Sequence, residues 1–298
     1  DSPADRGFLI FEGKLANPTP ASGLTGCAPV ADFWARLSLD ADAASRATKL
    51  ERFFFTGLTS GGVTFAPIVS AKSYGLAVAG AAHGKGQIRT NMFVNLAQWQ
   101  LREFKLGKPC AAGAACKLSV EHVTVKTNPA NELFAGTHAN APAFQTQFLN
   151  QVATLSRANP ATIAMVTGDR FNEFESISQG GDTIYKNFET AAFRAAIQGR
   201  ITNPDLSVAN ILDRATTQTC AGCHQLSNSA DLGDSVTWPN SLGFVHIDEN
   251  SNLSQALTDV FLPRRSSVLR KFLQGQCTAQ PTLDDGLTLS GAPIDSAN

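Results

Sequence analysis

Six cysteines and five histidines are spread over 298 residues, yet three of them stand side by side in Cys220-Ala221-Gly222-Cys223-His224. Two thiols at this spacing can add to the two vinyl groups of a haem, while the imidazole that follows turns under the ring to bind iron. The same residues could also be half of a zinc site, a redox dithiol, or a plain disulfide with a bystander histidine. Composition alone predicts roughly 0.002 such strings in a chain of this make-up, so coincidence is a weak explanation. A structural zinc site needs four ligands, and the other cysteines (Cys27, Cys110, Cys116 and Cys277) lie far away in sequence with no matching pair. A thioredoxin-like dithiol belongs at a strand-to-helix junction, whereas this string follows a helical segment. Haem attachment uses all three positions, and the small Ala221-Gly222 linker keeps bulk away from a macrocycle.

On Cys220, Cys223 and His224, with a helix ahead and helices behind, the segment resembles c-type cytochromes over roughly the last 80 residues. The resemblance implies thioether links from Cys220 and Cys223, proximal iron ligation by His224, one covalent haem c, and maturation outside the cytoplasm. The chain departs from the commonest small-cytochrome pattern because both methionines, Met92 and Met165, precede the motif. His246, in WPNSLGFVHIDEN, is the expected second axial ligand, with Phe244 on the same face of an alternating run. His83 in a Gly-rich loop, His122 in a strand, His138 in a connection and Met165 in an apolar run have the settings of ordinary structural residues. An open or water-occupied position is the remaining choice. Two protein ligands favour electron transfer, while an open position permits peroxide or oxygen chemistry.

Around this motif the chain is nearly neutral, with 24 basic and 25 acidic residues and charged residues at 16%. That balance offers neither the basic footprint of a nucleic-acid binder nor a polybasic membrane patch. No run approaches the roughly 20 apolar residues of a transmembrane helix. The first residue is Asp, as in a mature product whose leader has been removed, although trimming would look the same. Localisation therefore rests on the cysteines. Cys110 and Cys116 bracket an Ala/Gly loop between strand-like segments 99–106 and 117–125, the pattern of a hairpin stapled by a disulfide in a periplasmic or extracellular protein. Cys27 and Cys277 remain as a possible second pair.

Runs at 8–15, 50–58, 62–70 and 86–94, with the two hairpin segments, predict a β-rich amino-terminal half interrupted by one helix around Phe33, Trp34 and Leu37. After Asn131 the period becomes helical. Phe144, Phe148, Val152 and Leu155 predict a helix stopped by Pro160; Ile184, Phe188, Ala191 and Ala195 predict another ended by Gly199. Asn203 is a candidate cap for a third that runs to about Thr217 and delivers the chain into Cys220. Two more are expected around 253–261 and 266–273. The fold class is thus α+β: a β-rich domain over residues 1–138 and an α-helical, cytochrome c-like haem domain over 139–298. The expected function is that of an exported monohaem c-type cytochrome passing electrons to a redox protein partner, with no nucleic-acid partner and no transmembrane segment. A haem enzyme of peroxidase or oxygenase type, or a haem-free secreted protein stapled by disulfides, are the alternatives.

Overall fold

The computed structural model describes residues 7–13, 15–74, 86–92, 100–107, 119–123, 126–175, 184–248 and 250–275. Both helices and strands are present, and the protein is α+β. Strand β1 (Gly7–Glu12) is followed by a 3-10 segment and by helices α1 (Ala28–Leu39) and α2 (Ala43–Phe55). The short strands β2 (Leu58–Ser60) and β3 (Val63–Phe65) form a hairpin, and α3 (Ala71–Tyr74) leads towards β4 (Gln87–Met92). With β5 (Gln100–Gly107) and β6 (Ser119–Val123), these build an antiparallel sheet in the order β1-β4-β5-β6. The predicted hairpin is therefore present, its last rung pairing Gly107 with Ser119. Cys110 and Cys116, like Cys277 and His83, lie outside the described residues.

The segment 50–58 is not a strand. Asp42 accepts hydrogen bonds from the amides of Ala44 and Ser45 and starts α2, whose phase carries it through Phe53-Phe54-Phe55. Of those aromatics only Phe53 is buried, stacked on Phe33 of α1 at 4.8 Å, while Phe55 is exposed. A continuous apolar run suits a buried strand and a helix segment alike, and here the upstream cap decides. The helical region between α1 and α2 consequently holds two helices where one was expected, separated at Asp40, whose backbone is extended.

Beyond the strand β7 (Lys126–Thr127), the chain forms α4 (Ala130–Ala135), α5 (Ala141–Leu149) and α6 (Val152–Leu155). Strand β8 (Phe174–Glu175), α7 (Ala191–Gln198) and α8 (Val208–Thr216) follow, and α9 (Leu262–Leu273) closes the described chain. One apolar core runs through this region, with Phe134, Phe148, Leu155, Ile197, Ile211 and Leu212 all at 1% exposure or less. Each such side chain contributes about 2 kcal/mol by leaving water. Helix α4 stands where the period turns helical: Ala130, Leu133 and Phe134 have helical spacing, and Gly136 stops the helix in a left-handed conformation.

Several phases differ from the periodicity reading. The helix expected through 144–155 breaks at Asn150-Gln151, where the Gln151 carboxamide pairs with both backbone groups of Val166. Thr190 caps α7 and sets its buried face to Phe193 and Ile197, leaving Ala191 and Ala195 exposed. Ser207, in a reciprocal capping box with Asn210, starts α8; Asn203 instead makes a local turn onto the Asp205 amide. The two helices expected after residue 253 are one continuous helical stretch, with a π-turn at Leu257–Phe261 leading into α9. Pro263 explains the widening, because a proline removes one helical donor and crowds the carbonyl four residues earlier. Helix α9 packs against α1, which joins the two halves of the chain. Among the described residues, no helix is long and apolar enough to cross a membrane.

Helix α8 carries a buried cation. Arg214 is fully buried and its guanidinium donates to four carbonyls, those of Leu155, Arg157, Leu232 and Gly233, at 2.7–3.2 Å. Replacing Arg214 with Ala strands these acceptors in the interior and is expected to cost on the order of 3 kcal/mol or more, with Arg214→Lys intermediate because it loses the planar fork. Urea unfolding measures this; an unchanged midpoint for Arg214→Ala would refute the assigned role.

Candidate functional site

The motif leaves α8 as expected and then tightens into a turn. Residues Gly222–Leu226 form a single π-turn, a geometry that recurs at functional sites because it turns side chains out of the α-helical phase. Thr219 prepares it: its hydroxyl donates to the Thr216 carbonyl at 2.8 Å and accepts the Gly222 amide at 2.9 Å. Gly222 has no alternative here, since a Cβ would come within 1.9 Å of the Thr216 carbonyl oxygen. The small linker therefore serves to seat the turn against the end of α8. Ala221 and Gly222 face inward and are buried, while Cys220 is exposed and Cys223 and His224 are half-buried.

His224 is oriented by the segment that follows. Its Nδ1 lies 2.7 Å from the carbonyl oxygen of Phe244. A carbonyl can only accept, so Nδ1 carries a proton, and in the neutral ring Nε2 is the nitrogen with the lone pair. Ser241 completes the clasp: its hydroxyl contacts the carbonyls of His224 and Gly243, and its amide donates to Asn228 Oδ1 at 2.9 Å.

The structure brings His246 to the same place. Its ring centroid is 5.1 Å from that of His224, its Nε2 is 3.4 Å from Cys223 Sγ, and its Nδ1 is 2.8 Å from Ser254 Oγ. The segment is not a strand; isolated bridges, Leu242 with Val245 and Ile247 with Leu253, hold it in turns. The ring edge-on to His246 belongs to Phe261, at 5.4 Å, and Phe244 contributes its carbonyl to His224. Burial, with His224 alongside, lowers the His246 pKa to about 4, and burial, with Cys220 nearby, raises that of the Cys223 thiol to about 12. Both are neutral at pH 7. The pair is therefore a thiol and an imidazole, not the thiolate and imidazolium of a nucleophilic cysteine.

The other candidates have different employment. His138 contacts Glu173 at 3.0 Å and accepts the Asn140 amide; His122 lies edge-on to Phe104; Met165 packs on the helical core. Among the described residues, no three of His, Cys, Asp and Glu converge as a metal cage requires, so the zinc reading gains no geometric support. Haem asks for a different donor set: two thiols at an open surface and one neutral imidazole nitrogen. Cys220 is exposed as this requires, and His224 supplies the imidazole, whereas Cys223 is half-buried with its sulfur 3.4 Å from His246 Nε2 and would have to turn outward. His246 would have to release the Cys223 sulfur, which its Nε2 faces at 3.4 Å, before that nitrogen could serve as a ligand.

Compared with family models, curated proteins and solved structures, the chain matches none.

Sequence reasoning missed Ser254, Ser241 and Asn228. The only available signal was the concentration of Ser and Asn between 227 and 254, which reads as ordinary loop composition. In chain prepared without haem, Cys220 is expected to react with iodoacetamide about tenfold or more faster than Cys223 at pH 8, because only the thiolate attacks. Mass mapping of a time course measures this, and equal rates would show that Cys223 is not shielded.

Proposed function

We propose that this chain is an exported c-type haem protein that transfers electrons, with Cys220 and Cys223 as thioether anchors, His224 as the proximal ligand and His246 as the second axial ligand. The observation that carries the reading is the 2.7 Å contact between His224 Nδ1 and the Phe244 carbonyl, which makes Nδ1 the donor and Nε2 the nitrogen that would face iron. When bound, the haem would supply a one-electron couple whose potential the axial ligands and their hydrogen bonds tune.

The surroundings support the same assignment. Leu242, Ile247, Leu253 and Leu262 are 39–51% exposed on the segments that carry and flank His246, an apolar rim suited to the face of a macrocycle. Phe261 adds an aromatic edge on the same side. The polar groups of the site are engaged within the protein: Ser241 and Asn228 bond one another, and Ser254 is fully buried. A cytochrome c-like arrangement of the helical region belongs to this proposal. A redox protein docking near the exposed Cys220 side is the partner it implies.

A second reading, a haem enzyme with an open axial position, is favoured by the position of His246 Nε2, which meets the Cys223 sulfur at 3.4 Å. The ferric spectrum separates the two, low-spin for the carrier and high-spin for the enzyme.

Export is part of the proposal, and with it a Cys110–Cys116 disulfide across the β5–β6 hairpin loop. Non-reducing peptide mapping of protein from an oxidising compartment should recover the two cysteines joined; two free thiols would refute the staple. After acid–acetone extraction, intact mass should show one haem retained, and Cys220→Ser/Cys223→Ser should leave the bare chain. His246→Ala should keep the covalent haem and become at least partly high-spin. A wild-type mass equal to the bare chain would overturn the reading.

A further inference from the structure

Helices α1 and α2 enclose a cleft that the haem reading does not use. Its volume is about 310 Å³, at the low end of the range of about 300–1,000 Å³ that small-molecule sites occupy. The floor is apolar. Phe33 and Leu37, one turn apart on α1, line it together with Phe53 of α2, and the Phe33 and Phe53 rings stack with their centroids 4.8 Å apart. Leu58, the first residue of β2, closes one side.

The rest of the lining is cationic. Arg36 of α1 and Lys49 and Arg52 of α2 stand around the same floor, and they differ in how they are engaged. Lys49 is committed to Asp40, which also accepts the Ser45 hydroxyl; these bonds lower the Asp40 pKa to about 2. Arg36 meets Asp32 at 2.6 Å one turn back along α1, but its side chain is 78% exposed, and such a pair on a helix surface holds only weakly. Arg52 has no hydrogen bond or ion pair from its side chain among the described residues. An anion with an apolar body would satisfy both the uncompensated guanidinium and the floor beneath it.

We infer that this cleft binds a small organic anion, a carboxylate on a flat aromatic body, with Arg52 and Arg36 clamping the carboxylate and Phe33, Phe53 and Leu58 taking the ring. The planar guanidinium fork matches the two oxygens of a carboxylate, which an ammonium does not. The volume limits the body to about two rings. Binding here is independent of haem, so the inference stands or falls apart from the functional reading above.

Calorimetric titration of the full chain with 2-naphthoate at low salt tests it, with 2-naphthalenemethanol as the uncharged counterpart. The carboxylate should saturate one site with a Kd of about 1 mM or tighter. It should bind about tenfold or more tighter than the alcohol, an advantage that shrinks as sodium chloride is added. Arg52 is exposed, so Arg52→Gln should fold as the wild type does. That variant should weaken 2-naphthoate about tenfold and leave the alcohol within about twofold; adding Arg36→Gln should bring the two compounds to similar affinity. Arg194→Gln, on α7 and outside the cleft, should leave both unchanged. Three outcomes would overturn the inference: no saturable binding of 2-naphthoate, equal affinity of wild type for acid and alcohol, or a loss in Arg194→Gln equal to that in Arg52→Gln. An Arg52→Gln protein that binds 2-naphthoate as wild type does would overturn it as well.

Discussion

The helical region is organised around a buried guanidinium held by backbone carbonyls. Arg214 projects from α8 and is bound by carbonyls at the end of α6 and at the Leu232-Gly233 turn. Burying a cation this way is costly, and burial lowers its pKa while Asp234 opposes the shift. The carbonyls offset the cost through charge-assisted bonds, and that of Gly233 accepts the Val236 amide as well. The geometric result is that α8 cannot rotate or slide without breaking several charge-assisted bonds. The turn that carries Cys220, Cys223 and His224 grows directly from the end of that helix.

Downstream, rigidity passes from helix to loop through small contacts at short range. Gly222 lets the turn close onto Thr216, and Ser241 with Asn228 ties the loop back to the carbonyl of His224. His224 therefore inherits the stability of the core, while His246 depends on bridges at the surface and on Ser254. The difference arises from where each histidine sits relative to the nearest buried element, since both imidazoles have the same intrinsic chemistry.

The amino-terminal half contributes a sheet with an uneven charge lining. Glu103 is buried between Arg89 and Lys105 on β4 and β5, a network that holds the middle of the sheet. Strand β5 of the sheet contacts α3, and helix α1 of the same half packs on α9, the helix that continues from Ser254 and Phe261. The π-turn at Leu257–Phe261 lies between Ser254 and α9.

By itself the sequence determined the motif, the alternation of β4, β5 and β6, the antiparallel hairpin, the buried stripe of Phe144, Phe148, Val152 and Leu155, and the helix that delivers the chain to Cys220. These are legible because they follow from local spacing: two residues per strand repeat, about 3.6 per helical turn, and covalent neighbours in C-x-x-C-H. It also marked His246, through the lack of a later methionine. Only the tertiary structure decided that the aromatic run after Arg52 is helical, that α7 buries Phe193 and Ile197, and that an arginine lies at the centre of the core. The same holds for Ser254, whose importance depends on a histidine eight residues away folding back onto it. Periodicity describes which face of an element is apolar. Which polar atom meets which across a loop is a matter of long-range closure, and no local pattern encodes it.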